Sequence, residues 1–436
     1  MKKSLLKILC LLVTASMVFT LVACGTTQGG GTQASTTVQQ EPVTLTFWHT
    51  WPSVDTEPTK KAFDKALDDW TVANPNIKIE VDTAASDPYK QKIQTSVAAG
   101  EAPDLFFWWG GAMAKPFVDA GKLLALDDYL NDGTKDKILG DALSTFTYGG
   151  KIYGLPFSSS AAFIFCNKDV FDKNGVTIPT TFEDLLAAVK VFRAKNVTPF
   201  AMGNKERWPI ILFQNTMAVH EAGPQLVLDA INKKASFENP AFVKAAANLK
   251  ALVDAKAFPS DVLGLGYVDG QAAFAKGDIA MNYIGTWELG NLDKDGTVLK
   301  GKIVPIKFPA AVGGKGTEND IWGGASGGFV VGATTKNKDI AVKACKFFNE
   351  NTDKYSYIYG LGLPVWKNSA DFDAQVSSQL LKDCAKLLKD ATSFTPGWDI
   401  LMDPKTAQKH LDLCTELLAG TITPEEFAKQ SQEANK

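Results

Sequence analysis

From residue 44 onward the chain keeps switching between two hydrophobic periods, and this alternation limits the folds open to it more than any single motif. Residues 44–48 have the length and content of a strand, and Phe63, Ala66, Leu67 and Trp70 then recur at i, i+3, i+4 and i+7, one face of a helix. Asn74-Pro75-Asn76 stops that helix. Residues 77–81 alternate as a second strand, Tyr89, Ile93 and Val97 make the next helical stripe, and Gly100 caps it. Residues 104–109 are apolar enough to be buried on both faces. Strands and helices in this order predict a parallel sheet flanked by helices. The rhythm resumes after Gly154-Leu155-Pro156 with a strand at 163–166, and Thr180 with Glu183 reads as a capping box opening a helix through Leu185, Leu186 and Val189. Further strands are expected at 279–284 and 328–331, with a mostly helical region beyond about Lys336.

The N-terminal 42 residues follow different rules. Lys2 and Lys3 precede an apolar stretch at 8–23, which has signal-peptide length and falls short of the roughly 20 residues of a spanning helix. Leu21-Val22-Ala23-Cys24-Gly25 resembles the bacterial lipobox, which implies cleavage after residue 23 and a lipid on the Cys24 sulfur. Residues 24–42 carry Gly, Thr, Ser and Gln with hardly an apolar side chain, so they read as a flexible tether reaching roughly 25 Å. The expected location is the outer face of the cytoplasmic membrane, the periplasmic side where the cell has an outer membrane.

The rest is too long for one core and fits two large lobes. With 45% hydrophobic residues and no second apolar run of spanning length, it reads as soluble. The formal charge of −3 becomes −6 once Lys2, Lys3 and Lys7 leave with the signal. Mild acidity argues against nucleic acid, which calls for clustered Lys and Arg. Cys166, Cys345, Cys384 and Cys414 lack metal or redox spacing. Cys384 and Cys414 fall on apolar helical faces, as small buried hydrophobes or as partners in one disulfide.

Six separated motifs resemble one family. They are Leu45-Thr46-Phe47-Trp48-His49, Pro103-Asp104-Leu105-Phe106, Gly150-Lys151-Ile152-Tyr153-Gly154-Leu155-Pro156, Asn167-Lys168-Asp169, Pro179-Thr180-Thr181-Phe182-Glu183-Asp184-Leu185, and Lys276-Gly277-Asp278-Ile279-Ala280-Met281 running on to Gly285-Thr286-Trp287. In this order they resemble the extracellular sugar-binding proteins of bacterial ABC importers, the maltose-binding-like members of solute-binding family one. The resemblance implies a two-lobed α/β clamp of the periplasmic-binding-protein type, each lobe a sheet flanked by helices, with a helical C-terminal region. It places the first lobe at 43–157 plus 306–350 and the second at 158–305 plus 351–436, with crossings near 155–161, 304–310 and 349–359. It also implies a monomer that takes an oligosaccharide, hands it to importer permease subunits and needs no cofactor.

Sugar chemistry gives independent candidates. A pyranose has an apolar C–H face and a rim of hydroxyls, so its site needs aromatic plates and planar polar groups. Tryptophans stand in loops after strands, where open α/β sheets bind ligands. The candidates are Trp48, His49 and Trp51 after the first strand, Trp108 and Trp109, Trp208, Trp287, Trp322 with Gly323 and Gly324, and Trp398 with Asp399. Asn204, Lys205 and Arg207 add a donor-rich loop.

Enzyme signatures are weak. Asp127-Asp128 and Glu425-Glu426 are helix-like surface pairs, not a placed glycosidase pair, and His49, His220 and His410 lack metal spacing. Gly313-Gly314-Lys315-Gly316 lacks the Ser or Thr of a phosphate loop, and Asp293-Lys294-Asp295-Gly296 is too short for an EF-hand. The expectation is a non-enzymatic receptor, with a secreted lyase or glycosidase, or a binder of another solute, as alternatives.

Overall fold

A computed structural model describes residues 42–436 except 141 and 326; the signal, Cys24 and nearly all of the tether lie outside the described residues. The chain opens with β1 (Val43–His49), α1 (Thr59–Ala73), β2 (Ile77–Thr83), α2 (Ser86–Ala99) and β3 (Leu105–Trp109), and returns to the same layer with β4 (Gly154–Pro156). There follow β5 (Ser159–Asn167), α3 (Phe182–Ala194), β6 (Phe200–Ala201), α4 (Pro209–Ala222), α5 (Pro240–Asp254), α6 (Tyr267–Phe274), β7 (Met281–Gly285), β8 (Ile303–Ile306) and β9 (Asp320–Ala325). The last part holds β10 (Gly327–Val331), α7 (Lys338–Ile358), α8 (Gln379–Leu387), β11 (Ser393–Thr395), α9 (Trp398–Leu401), α10 (Pro404–Ala419) and α11 (Pro424–Ala434).

Two sheets result. The first runs β2-β1-β3-β10-β4, with β1 parallel to β2 and β3, and β10 antiparallel to both β3 and β4. The second runs β11-β9-β5-β7-β6, with β8 also paired to β5. Each sheet carries its own buried core. One is built around Phe47, Phe63, Phe329 and Phe348, whose rings meet Phe47 edge-on at 4.9 to 5.0 Å. The other centres on β5, on α4, which is buried along its whole length, and on the C-terminal helices. These are the two lobes.

The cores show where the chain changes lobe: between Phe157 and Ala161, between Trp322 and Ala325, and between Trp366 and Val376. The second and third positions correct the expected boundaries at 306 and 350. Residues 304–310 do not cross, because β8 pairs with β5 from Ile303↔Asn167 to Ile306↔Ile164 and so stays in the second sheet. Residues 351–366 run along the junction: Tyr357 and Leu363 pack on the second lobe's core, but Val365 and Trp366 return to the core of the first.

Local signals explain most elements. Phe63, Ala66 and Trp70 are the buried stripe of α1. Gly100 ends α2 in the left-handed region at φ 81°. The capping box sits one residue later than expected: Thr181 accepts from Asp184 N, and the Asp184 side chain accepts from Thr181 N. Helix α3 starts at Phe182, so Thr181 is its cap, and Thr180 instead donates to Asp184 Oδ2. Cys166, Cys345, Cys384 and Cys414 are all buried and free, so Cys384 and Cys414 are small hydrophobes and form no disulfide. Among the described residues no helix is long and apolar enough to cross a membrane, and no cluster of His, Cys, Asp or Glu could hold a metal.

Candidate ligand-binding site

A cavity of about 380 Å³ lies between the two lobes, in the size range of small-molecule sites. Its first-lobe wall is aromatic: Trp51, Phe107, Trp109 and Phe157 line it. Trp51 packs at 5.1 Å from Phe107 and 5.4 Å from Phe157, and Phe107 at 4.7 Å from Trp109. The second-lobe wall is a matching group of Trp208, Tyr267, Trp287 and Trp322. Here Trp208 is 4.7 Å from Tyr267 and 6.2 Å from Trp287, and Trp287 is 6.0 Å from Trp322. Two plates of rings thus face one space, the arrangement that an apolar sugar face calls for.

Polar groups rim these plates. Glu57 comes from the loop before α1, Asp87 and Lys90 from the first turns of α2, Glu206 from the turn before α4, and Asp399 from α9. Ser158, Ser159 and Ser160 line the crossing itself. Burial, with Glu288 adding repulsion, pushes the Glu57 carboxyl up to about 8. Burial also raises Asp399. Glu288 lies behind Tyr267, accepting from the Tyr267 hydroxyl and from Asn291 Nδ2 at 2.9 Å; Trp287 Nε1 donates to the Tyr267 hydroxyl at 3.0 Å. Glu206 Oε2 accepts from Tyr267 N at 2.8 Å and ties that ring's helix to the loop of Trp208. Thr50 Oγ1, Trp322 Nε1 and Ser356 Oγ are buried at the cavity without a hydrogen-bond partner. A buried polar atom left unpaired is costly, which makes these three candidates for pairing with a ligand once side chains adjust around it.

Of the residues singled out in the sequence, Trp51, Trp109, Trp208, Trp287, Trp322 and Asp399 come together here. The others do not line the cavity. Trp108 alternates with Trp109 along β3 and points into the core, where its Nε1 donates to Met113 O at 3.1 Å. Trp398 is buried and stacks on His410 at 4.8 Å, leaving its neighbour Asp399 to reach the cavity. His49 is fully buried against Phe63, and burial drives its pKa down to about 3. Trp48 lies on the other face of β1, under Lys92 Nζ at 4.1 Å.

The donor-rich loop turns its cations away. Asn204 Oδ1 accepts from Ile210 N at 3.0 Å and anchors the start of α4, Lys205 is exposed, and Arg207 pairs with Asp412 at 2.5 Å. Gly323 and Gly324 serve strand packing: a methyl at Gly323 would stand 2.1 Å from Ser160 O, across the β5–β9 pair. Sequence reasoning missed Glu57, Asp87, Lys90, Phe107, Phe157 and Tyr267. Glu206 stood inside the loop already read as polar, but nothing local told which of its charges faces inward.

The fold and this cleft define a two-lobed α/β protein of the solute-binding class, with an aromatic-walled cavity between its lobes. The chain belongs to the family described as bacterial extracellular solute-binding protein, whose model matches residues 54–354. Its relatives are maltose-binding-like sugar receptors of ABC importers, as the six motifs implied. A structure solved in work on xylan utilization by the thermophilic bacterium Caldanaerobius polysaccharolyticus is 41% identical, with a TM-score of 0.86 over 90% of this chain and 99% of that one. A chitin oligosaccharide binding protein is 29% identical, with a TM-score of 0.81 over 90% and 98%. The multiple sugar-binding protein of Streptococcus mutans is 23% identical over 75% of this chain and 76% of its own length.

Proposed function

We propose that the protein is a lipid-anchored receptor that binds an oligosaccharide between two hinged lobes and delivers it to the permease of an ABC importer. The observation that carries the reading is the pair of facing aromatic walls, one from each lobe. Rings on both sides match a chain of sugar rings better than a peptide or a polyamine, and the unpaired Trp322, Thr50 and Ser356 donors match hydroxyl oxygens. Fragments of xylan are the first candidates, because the 41% identical relative was solved in work on xylan utilization. Anchoring rests on the lipobox-like residues around Cys24.

Calorimetry of the mature protein with xylotriose, cellotriose and triacetylchitotriose tests the reading. Saturable binding of at least one, with the glycan recovered intact, is the expected result. Recovery of cleaved glycan would make the protein an enzyme instead.

A further inference from the structure

The charges at the cleft are lopsided. Among the described residues lining it, Glu57, Asp87, Glu206 and Asp399 are acidic and Lys90 alone is basic. Lys90 is already engaged, 3.4 Å from Asp87 and 5.0 Å above the ring of Trp109. Directly behind the wall, buried Glu288 adds a further carboxyl, held by neutral partners, the Tyr267 hydroxyl and the Asn291 amide. The cations of the neighbouring loop are spent elsewhere, Arg207 on Asp412 and Lys205 in solvent.

Building on the oligosaccharide reading, we propose that the cleft accepts uncharged oligosaccharides and excludes those bearing a carboxylate, with Glu57 and Glu206 as the specificity-determining residues. These two reach the cavity from opposite lobes, so a ligand held between the walls meets an acidic group on either side. A neutral glycan brings hydroxyls that donate to these carboxyls and accept from Trp322 Nε1, Thr50 Oγ1 and Ser356 Oγ, the buried atoms that lack a partner. A glycan carboxylate finds the same neutral donors, but it must also enter a space where every nearby unpaired charge has its own sign. Repulsion between like charges is about fourfold stronger at the effective dielectric of such sites than in bulk water. Burial raises Glu57 to about 8, so its share of the repulsion is present in full only above that pH.

The test uses matched probes on the mature protein at pH 9.5, above the value of about 8 to which burial pushes the Glu57 carboxyl, so that its charge is present. Whichever neutral trisaccharide binds best is converted at its reducing end to the alditol and to the aldonate, which open the same ring and differ by one charge. The alditol should bind at least tenfold more tightly than the aldonate. In the Glu57→Gln/Glu206→Gln variant the ratio should shrink below threefold, while the wild-type comparison stands by itself if that variant folds poorly. An aldonate that binds wild type within threefold of the alditol overturns the exclusion and leaves the oligosaccharide reading intact. Failure of xylotriose, cellotriose and triacetylchitotriose alike to bind overturns that reading, and the exclusion with it.

Discussion

Residues of one type do opposite jobs in this chain, and the clearest contrasts concern tryptophan. Trp208 is half-buried at the cavity, whereas Trp398 is sealed among Phe237, Phe242 and His410. Trp208→Ala should weaken oligosaccharide affinity by more than about 1 kcal/mol with little change in melting. Trp398→Ala should cost about 3–5 kcal/mol of stability by leaving a cavity, measured by denaturant unfolding. The reverse pattern would exchange their roles. Glu57 supports a second expectation. Its carboxyl rises from an ordinary 4.5 to about 8 in the folded protein, so the folded state keeps a proton that the unfolded chain releases. The stability linked to that proton is full below about 4.5 and is lost as pH climbs to about 8. Glu57→Gln has no such proton, so its melting temperature should fall less than that of wild type between pH 5 and 8. Parallel pH profiles would show Glu57 to be solvated.

At the scale of elements, tight backbone approach governs what the site can become. Gly285 closes β7, and a methyl there would stand 1.9 Å from the ring of Trp287. The indole must swing aside, so Gly285→Ala should lower affinity at least tenfold and shift the tryptophan emission, while circular dichroism keeps its shape. Unaltered affinity would mean that Trp287 does not face the ligand. The same elements show what was legible. Amphipathic stripes such as Phe63, Ala66 and Trp70 on α1 announced themselves because one side of that helix meets water. Helix α4 gave no stripe, since all its residues are buried, Gln214, Asn215, Thr216, His220 and Glu221 included, and no solvent-facing polar side sets a period to read. The family resemblance placed a crossing near 304–310, yet Pro305 sits in β8, an edge strand that tolerates a residue without an N–H. The second crossing lies between Trp322 and Ala325, where a methyl at Gly323 would stand 2.1 Å from Ser160 O. The individual tryptophans were visible, but which of them shared a cavity depended on strand faces and on partners far along the chain. Glu57 gave no local signal, because its environment is assembled from Glu288 on the other lobe.

The whole molecule is two bodies joined at three crossings and touching at the cleft. Gly111 lies against Ile400, Gly290 against Pro58, and Lys294 reaches Asp55 at 3.1 Å. Under the hinged reading proposed above, a ligand that contacts both walls should bind best when these surfaces meet and so shift the population toward the closed form. Small-angle scattering of the mature protein should show a smaller radius of gyration at saturation with the tightest-binding oligosaccharide. An unchanged radius with tight binding would rule out hinge closure.

The placement of β10 also has a consequence for how the molecule comes into being. Strand β10 lies between β3 and β4, with Phe329 opposite both Phe107 and Leu155. Everything from β5 to β9 must therefore be synthesised before the first sheet receives its inner strand. Until then β3 and β4 face each other across a gap with unpaired edges, and closing it means joining segments very distant in the chain. The first lobe stays incomplete until the segment ending at Trp366 has emerged, so the nascent polypeptide stays uncommitted for longer than two successive domains would. Such a delay leaves the chain thin and threadable for most of its synthesis, the condition in which a polypeptide can be passed through a narrow pore.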